Sequence, residues 1–250
     1  MKNIKNFIPE ILEIAKKAGQ ETVNIYNSAD FGVTQKDDCS PVTKADIASH
    51  NIIVAGLEKI TPDIPIVSEE DSSSWEIVDD IFWLIDPLDG TKEFINKRDE
   101  FTINIALIKN KHPVFGVVYA PVIDEMYWND GDKAFLNGDE IKAGNPPEDG
   151  LIVMASRSHS NKKELDDYLK DYNVKELIFA GSSLKICKVA SGEADMYPRL
   201  APTMIWDTAA AHAVLLAAGG TIETLENKPL SYEVKNLKNP FFVCKGNIAI

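Results

Sequence analysis

The sequence has little cysteine: three residues, Cys39, Cys187 and Cys244, among 250. None stands in a Cys-x-x-Cys pair, and an odd number leaves one unpaired. A disulfide framework is therefore not expected, and the reducing cytoplasm is the simpler home. Long apolar runs are missing too. No stretch of about 18 apolar residues occurs, so no segment is expected to span a membrane. The start of the chain, Met1 to Glu10, has neither an apolar h-region nor a small-residue cleavage site, so no secretory signal is expected. Positive charge is short: Lys plus Arg is 26 against 39 for Asp plus Glu, a net charge of −13. An acidic surface repels nucleic-acid backbones and argues against non-specific DNA or RNA binding. It leaves room for a small anionic ligand, because a metal ion or local basic groups can reverse the field inside a cleft. It also offers no basic patch for a membrane surface.

What is present suits a soluble enzyme-sized chain. Apolar residues at 44% and charged residues at 26% are ordinary globular values, and 250 residues can build one large domain or two compact ones. Apolar side chains at Ile4, Phe7, Ile8, Ile11, Leu12, Ile14, Ala15 and Ala18 predict an amphipathic helix from Ile4 to Tyr26. A second helix is expected from Lys44 to Ile60. Strands are expected at Ile64 to Ser68, Ile81 to Ile85, Phe101 to Ile108, Val114 to Tyr119 and Glu125 to Trp128. Two helices followed by successive strands suggest an α+β half with a largely antiparallel sheet. Pro and Gly cluster at Gly144 to Gly150 and mark a boundary, giving sub-domains 1–148 and 149–250. Beyond it, strands (Leu151 to Ala155, Glu176 to Ala180, Thr221 to Thr224, Phe241 to Lys245) mix with helices (Asn161 to Tyr172, Ser183 to Ser191, Trp206 to Ala218). That alternation favours an α/β half.

Three acidic sites share a position: each stands at the end of an apolar element. Ile66-Val-Ser-Glu-Glu-Asp71 and Trp83-Leu-Ile-Asp-Pro-Leu-Asp-Gly-Thr91 end strands, and Trp206-Asp-Thr-Ala-Ala210 opens a helix. Such ends project side chains into clefts while the core holds them fixed. Hard divalent cations take oxygen ligands, and magnesium takes carboxylates, waters and substrate phosphate. Pro87 restricts Asp86, Gly90 frees the backbone beyond Asp89, and a rigid turn between them could aim both carboxylates and the Leu88 carbonyl at one point. Two such charges repel unless a cation separates them. Each piece has a plainer explanation when taken alone. Asp-Pro-x-Asp-Gly is a common turn, Glu-Glu-Asp a common solvated loop, and Asp207 a common helix-dipole residue. Their joint occurrence points to a magnesium site of Glu69, Asp86, Leu88, Asp89 and Asp207.

These motifs resemble the inositol monophosphatase superfamily. Asp-Gly-Thr-Lys-Glu-Phe at Asp89 to Phe94, with Ser40-Pro-Val-Thr-Lys-Ala-Asp46, Ser156-Arg-Ser-His159 and Gly181-Ser-Ser-Leu-Lys185, is similar to its bisphosphate nucleotidase branch. The resemblance implies a layered α/β sandwich of alternating helix and sheet layers, with the site between two sub-domains. It implies two or three Mg2+ ions on Glu69, Asp86, the Leu88 carbonyl, Asp89 and Asp207, with Asp46 and Thr91 activating the attacking water. The reaction implied is removal of the 3′-phosphate of adenosine 3′,5′-bisphosphate, and of its sulfated form, in sulfur-assimilation nucleotide recycling. Inhibition by lithium, and a cytoplasmic place that extends in some relatives to the inner membrane surface, are implied with it. Ala211 departs from the glycine that many members carry, and residues 30–38 align to no role.

The expected substrate contacts are Gly90, Thr91, Ser156, His159, Gly181, Lys185, Arg199 and Asp207. Gly181-Ser-Ser precedes a predicted helix, whose N-terminus accepts anions, and Lys185 lies one turn in. Arg199 can pair with a 5′-phosphate or equally with a surface carboxylate. The same motifs leave two rivals: an inositol or other sugar-phosphate phosphatase, and a nucleotide sensor without catalysis. The sensor reading predicts a missing ligand or activating residue, and none is missing. The sequence does not show an oligomeric state.

Overall fold

A computed structural model describes residues 4–28, 32–35, 41–77, 79–157 and 162–248. A 3-10 turn (Ile4–Phe7) leads into α1 (Ile8–Tyr26). Its buried face is Ile8, Ile11, Ile14, Ala15 and Ala18, the helical spacing expected from the sequence. Short strands β1 (Thr34–Gln35) and β2 (Pro41–Val42) pair antiparallel ahead of α2 (Lys44–Ile60). Thr43 and Asp46 form a capping box that starts α2.

The chain then builds a sheet from β3 (Ile66–Ser68), β4 (Ile81–Asp89), β5 (Thr102–Lys109), β6 (His112–Ala120), β7 (Glu125–Asn129), β8 (Ala134–Leu136) and β9 (Asp139–Ile141). A five-residue helix, α3 (Thr91–Ile95), interrupts it after β4. The seven strands lie in chain order, and only β3 and β4 run parallel.

Beyond come β10 (Leu151–Ser156), α4 (Lys162–Leu169), β11 (Val174–Ala180), α5 (Leu184–Ala190), β12 (Met196–Arg199), α6 (Trp206–Ala217), β13 (Thr221–Thr224) and β14 (Phe242–Lys245). Their five-stranded sheet has the order β11-β10-β12-β14-β13 and is mixed.

Strand β4 shows how the layers stack. Successive side chains point to opposite faces of a sheet. Trp83 and Ile85 pack with α1 and α2, while Phe82 and Leu84 join the cluster that holds α5 and α6. That second cluster continues through Ile222, Phe242 and Cys244 into the five-stranded sheet. Helix pair, sheet, helix pair and sheet therefore alternate, as the resemblance implied. Gly116 allows the close approach of α6: a Cβ there would lie 2.1 Å from the Ala210 carbonyl oxygen. Free thiols Cys187 and Cys244 are buried in this interior, and Cys39 lies outside the described residues.

Four features differ from the sequence reading. The Asp86-to-Asp89 stretch is no free turn but the end of β4, with a bulge: Asp86 pairs with Asn104 and Asp89 with Thr102. Two residues on β4, Pro87 and Leu88, thus face one on β5, Ile103, which re-aims the side chains. Helix α3 is too short to show a helical period. Strands β8 and β9, of three residues each, are too short to show an alternation. Strand β12 contains Pro198, a residue that usually excludes an interior strand. On one side it pairs with Val243 of β14; on the other, β10 pairs with β12 only through Val153 and Met196, so Pro198 lies beyond that ladder.

Candidate active site

The bulge in β4 is braced from three sides. Ser49 on α2 donates to the Pro87 carbonyl at 2.7 Å, and Leu88 N donates to Asp86 Oδ1 at 3.1 Å. Gly90 follows with φ of 95°, a left-handed conformation that glycine adopts without strain, and turns the chain into α3. Thr91, the first residue of α3, donates its hydroxyl to Asp46 Oδ1 at 3.2 Å, with the Leu88 carbonyl at 3.4 Å. The other Asp46 oxygen accepts from Thr43 N at 2.7 Å and Thr43 Oγ1 at 2.6 Å. The capping residue of α2 is therefore also the partner of Thr91.

Glu69, Asp86 and Asp207 come together: one carboxylate oxygen from each lies within 4.8 Å of the others. Glu69 follows β3, where its N–H donates to the Ile85 carbonyl at 3.2 Å. Asp207 stands in the first turn of α6 and accepts from Met204 N at 2.8 Å. Burial pushes Asp86 well above the usual carboxylate range, and the charges of Glu69, Asp89 and Asp207 push it further. Asp207 is raised by burial and then by Asp89 and Glu69. Asp89 is pushed up to about 6 by burial, with Lys185 and the Ser183 N–H opposing. Crowded carboxylates of this kind, all oxygen donors, fit a hard divalent cation, which relieves the repulsion between them.

Asp89 stands beside this cluster, held by a network the sequence did not reveal. Its Oδ2 accepts from Ser183 N at 2.6 Å and from Asn104 Nδ2 at 3.4 Å. Ser183 Oγ donates to Asn104 Oδ1 at 2.9 Å and meets Thr102 Oγ1 at 2.8 Å. All three partners are buried. The Ser183 N–H, expected to receive a substrate anion, is thus committed to Asp89. Gly181 N likewise donates to Glu100 Oε2 at 2.9 Å, and Glu100 forms a two-pronged ion pair with Arg157 at 3.0 and 2.7 Å.

A cleft of about 310 Å³ opens over these groups. Gly90, Thr91, Ser156, Gly181, Lys185, Arg199 and Asp207 all line it, as do Glu69 and Asp89. His159 and residues 30, 31 and 36–38 lie outside the described residues. Lys185 is buried, donates to the Ser182 carbonyl and lies 5.4 Å over the Tyr197 ring. Burial pulls its ammonium down to about 8, against the pull of Asp89. Arg199 is 7% exposed, so it is no surface ion pair. Its guanidinium donates to the carbonyls of Ala201 and Pro202 at 3.1 and 2.9 Å. Trp75 stacks on Trp206 at 5.3 Å and donates to the Ser68 carbonyl at 2.7 Å. That pair joins the segments that carry Glu69 and Asp207.

The chain matches known proteins over nearly its full length. The family model of the inositol monophosphatase family matches residues 4–240. The 3′(2′),5′-bisphosphate nucleotidase CysQ of Escherichia coli K12 is 43% identical over 245 residues, covering 94% of this chain and 98% of that protein. The protein of the same name from Buchnera aphidicola is 41% identical, covering 93% and 89%. The crystal structure of CysQ from Bacteroides thetaiotaomicron superposes with a TM-score of 0.85 at 38% identity, covering 98% of both chains. The suhB protein of Bartonella henselae, at 24% identity and a TM-score of 0.83, shares the fold. A layered sandwich, a carboxylate cluster at its strand and helix ends, and matches over nearly the full length agree, and the chain belongs to the inositol monophosphatase family.

Proposed function

We propose that this chain is a magnesium-dependent 3′(2′),5′-bisphosphate nucleotidase that releases the 3′-phosphate of adenosine 3′,5′-bisphosphate, leaving adenosine 5′-monophosphate. The observation that carries the reading is the cluster of Glu69, Asp86 and Asp207, whose Glu69 and Asp207 line the same cleft as Thr91, the partner of the buried Asp46. Relatives above 40% identity bear that activity in their names. The sulfated nucleotide is a second expected substrate.

Glu69, Asp86, the Leu88 carbonyl, Asp89 and Asp207 would hold the magnesium, two or three ions by the sequence resemblance. Bound there, magnesium supplies Lewis-acid stabilisation of the phosphoryl oxygens and a water acidic enough to attack at neutral pH. The protein's own groups do the rest. Thr91 donates to Asp46, which leaves its oxygen free to accept a proton from a water on the cleft side. Asp46 is buried and its second oxygen is fixed by Thr43, so it takes the relayed proton without losing its place. Lys185 and Arg199 put two positive charges in the cleft wall and suit the second phosphate.

The division into sub-domains 1–148 and 149–250 is supported by the two separate sheets, with Asp207 in the second part completing a site otherwise carried by the first. The buried free thiols are in keeping with a cytoplasmic place, and no described helix is long and apolar enough to cross a membrane.

Product analysis tests the reading. With magnesium present, adenosine 3′,5′-bisphosphate must yield adenosine 5′-monophosphate and phosphate. Recovery of the 3′-monophosphate, or of unchanged substrate, overturns it.

A further inference from the structure

Asp207 lies in the first turn of α6, and that turn is held from behind by a segment the mechanism does not use. Met204 bridges antiparallel to Lys238. Ile205 N donates to the Leu237 carbonyl and Asn239 N to the Thr203 carbonyl, each at 2.9 Å. Asn239 is 7% exposed. Its Nδ2 lies 2.7 Å from the Met204 carbonyl, 3.1 Å from Thr203 Oγ1 and 3.1 Å from Thr208 Oγ1. A carbonyl only accepts, so the amide nitrogen must face Met204, and the flipped amide is excluded. This orientation leaves Asn239 Oδ1 buried with no hydrogen-bond partner among the described residues.

A buried acceptor without a donor is costly and calls for a compensating role. The three Nδ2 contacts converge on both sides of Asp207. Met204, whose carbonyl Asn239 holds, donates its own N–H to Asp207 Oδ2 at 2.8 Å. Thr208, the next residue after Asp207, is held as well by the Tyr232 hydroxyl at 3.2 Å.

We propose that Asn239 is a positioning residue for Asp207: by fixing Met204 and Thr208 it sets the direction in which the Asp207 carboxylate meets a metal ion. The inference rests on the reading of Asp207 as a metal ligand. Groups behind metal ligands set ligand orientation, and losing one typically weakens binding about 10- to 100-fold.

Mn2+ binding to the purified full chain, without substrate, tests this by titration calorimetry. Asn239→Leu keeps the branched side-chain shape and removes the donor. It should bind Mn2+ about 10- to 100-fold more weakly than the unmodified chain while still melting cooperatively. A folded Asn239→Leu that binds within about twofold of the unmodified chain overturns the proposal. If Asn239→Leu does not fold, Thr208→Val and Thr208→Ser decide. Loss of affinity with Val and its return with Ser supports the proposal, and equal affinity in the two overturns it. An unmodified chain that binds no Mn2+ overturns the metal reading itself, and the role of Asn239 with it.

Discussion

Thr91 Oγ1 donates to Asp46 Oδ1 at 3.2 Å, so the hydroxyl that opens α3 is tied to a carboxylate in the first turn of α2. Neither residue belongs to the carboxylate cluster, and each has a local structural duty. The pairing gives both a chemical one, because a hydroxyl that already donates to a buried carboxylate presents a lone pair to a water.

Removing that pair should cost turnover and spare the fold. Thr91→Ala and Asp46→Asn are expected to lower kcat by about 10²- to 10⁴-fold, the usual contribution of a positioned proton acceptor. Thr91→Ser should retain most of it. Steady-state kinetics beside far-ultraviolet circular dichroism checks this, and equal losses in Thr91→Ser and Thr91→Ala would contradict it.

The raised carboxylates make the metal-free chain sensitive to rising pH. An acid whose folded pKa lies above its unfolded value favours unfolding when it ionises. Asp89, raised from 3.8 to about 6, and Asp86 and Asp207, raised by burial and by the neighbouring carboxylates, all act this way. In chelator, their contribution should fall as pH rises from about 4 through 6 and beyond, and magnesium should restore it increasingly over the same range. Melting temperatures with and without magnesium measure the gap. A gap that stays constant, or that Asp86→Asn leaves unchanged, would be the wrong result.

His212 gives the opposite slope. Its Nδ1 meets the Tyr232 hydroxyl at 2.9 Å, and burial pulls its pKa from 6.5 down to about 3. The unfolded chain takes up a proton below pH 6.5 that the folded chain refuses until about 3, so this contribution is lost as pH falls. The slope is about 1.4 kcal/mol per pH unit in that window. His212→Gln should flatten acid unfolding there. An unchanged acid limb would show that other groups set it.

Lys185 and Arg199 should separate bisphosphate from monophosphate. Lys185→Gln and Arg199→Gln are expected to raise KM for adenosine 3′,5′-bisphosphate about tenfold or more, the scale of one lost charged hydrogen bond. The same changes should act little on adenosine 3′-monophosphate. Equal effects on both substrates would place the second phosphate elsewhere.

Much of this was legible in the sequence because its signals are local. The apolar periods of α1 and α2 and the carboxylates at element ends are read within a dozen residues. The bulge at Asp86 to Asp89 was not, because it is a property of pairing with Asn104 and Thr102 on β5. Helix α3 is too short to show a period, and Pro198 disguises β12. The groups that hold Asp89 were out of reach for the same reason: Ser183 lies 94 residues along the chain from it, and only packing joins them. The polar segment behind α6 has no motif at all, since Asn239 acts through backbone and hydroxyl groups brought to it by the fold.

The central claim is a magnesium-dependent phosphatase selective for a nucleotide bisphosphate. Its most direct measurement is phosphate release from adenosine 3′,5′-bisphosphate and from inositol 1-phosphate, side by side across a magnesium titration, in the unmodified chain and in Asp89→Asn. The account predicts release that requires magnesium, is much faster from the nucleotide, and vanishes in a folded Asp89→Asn. Faster release from the inositol ester, or near-normal turnover in Asp89→Asn at every magnesium concentration, would contradict it.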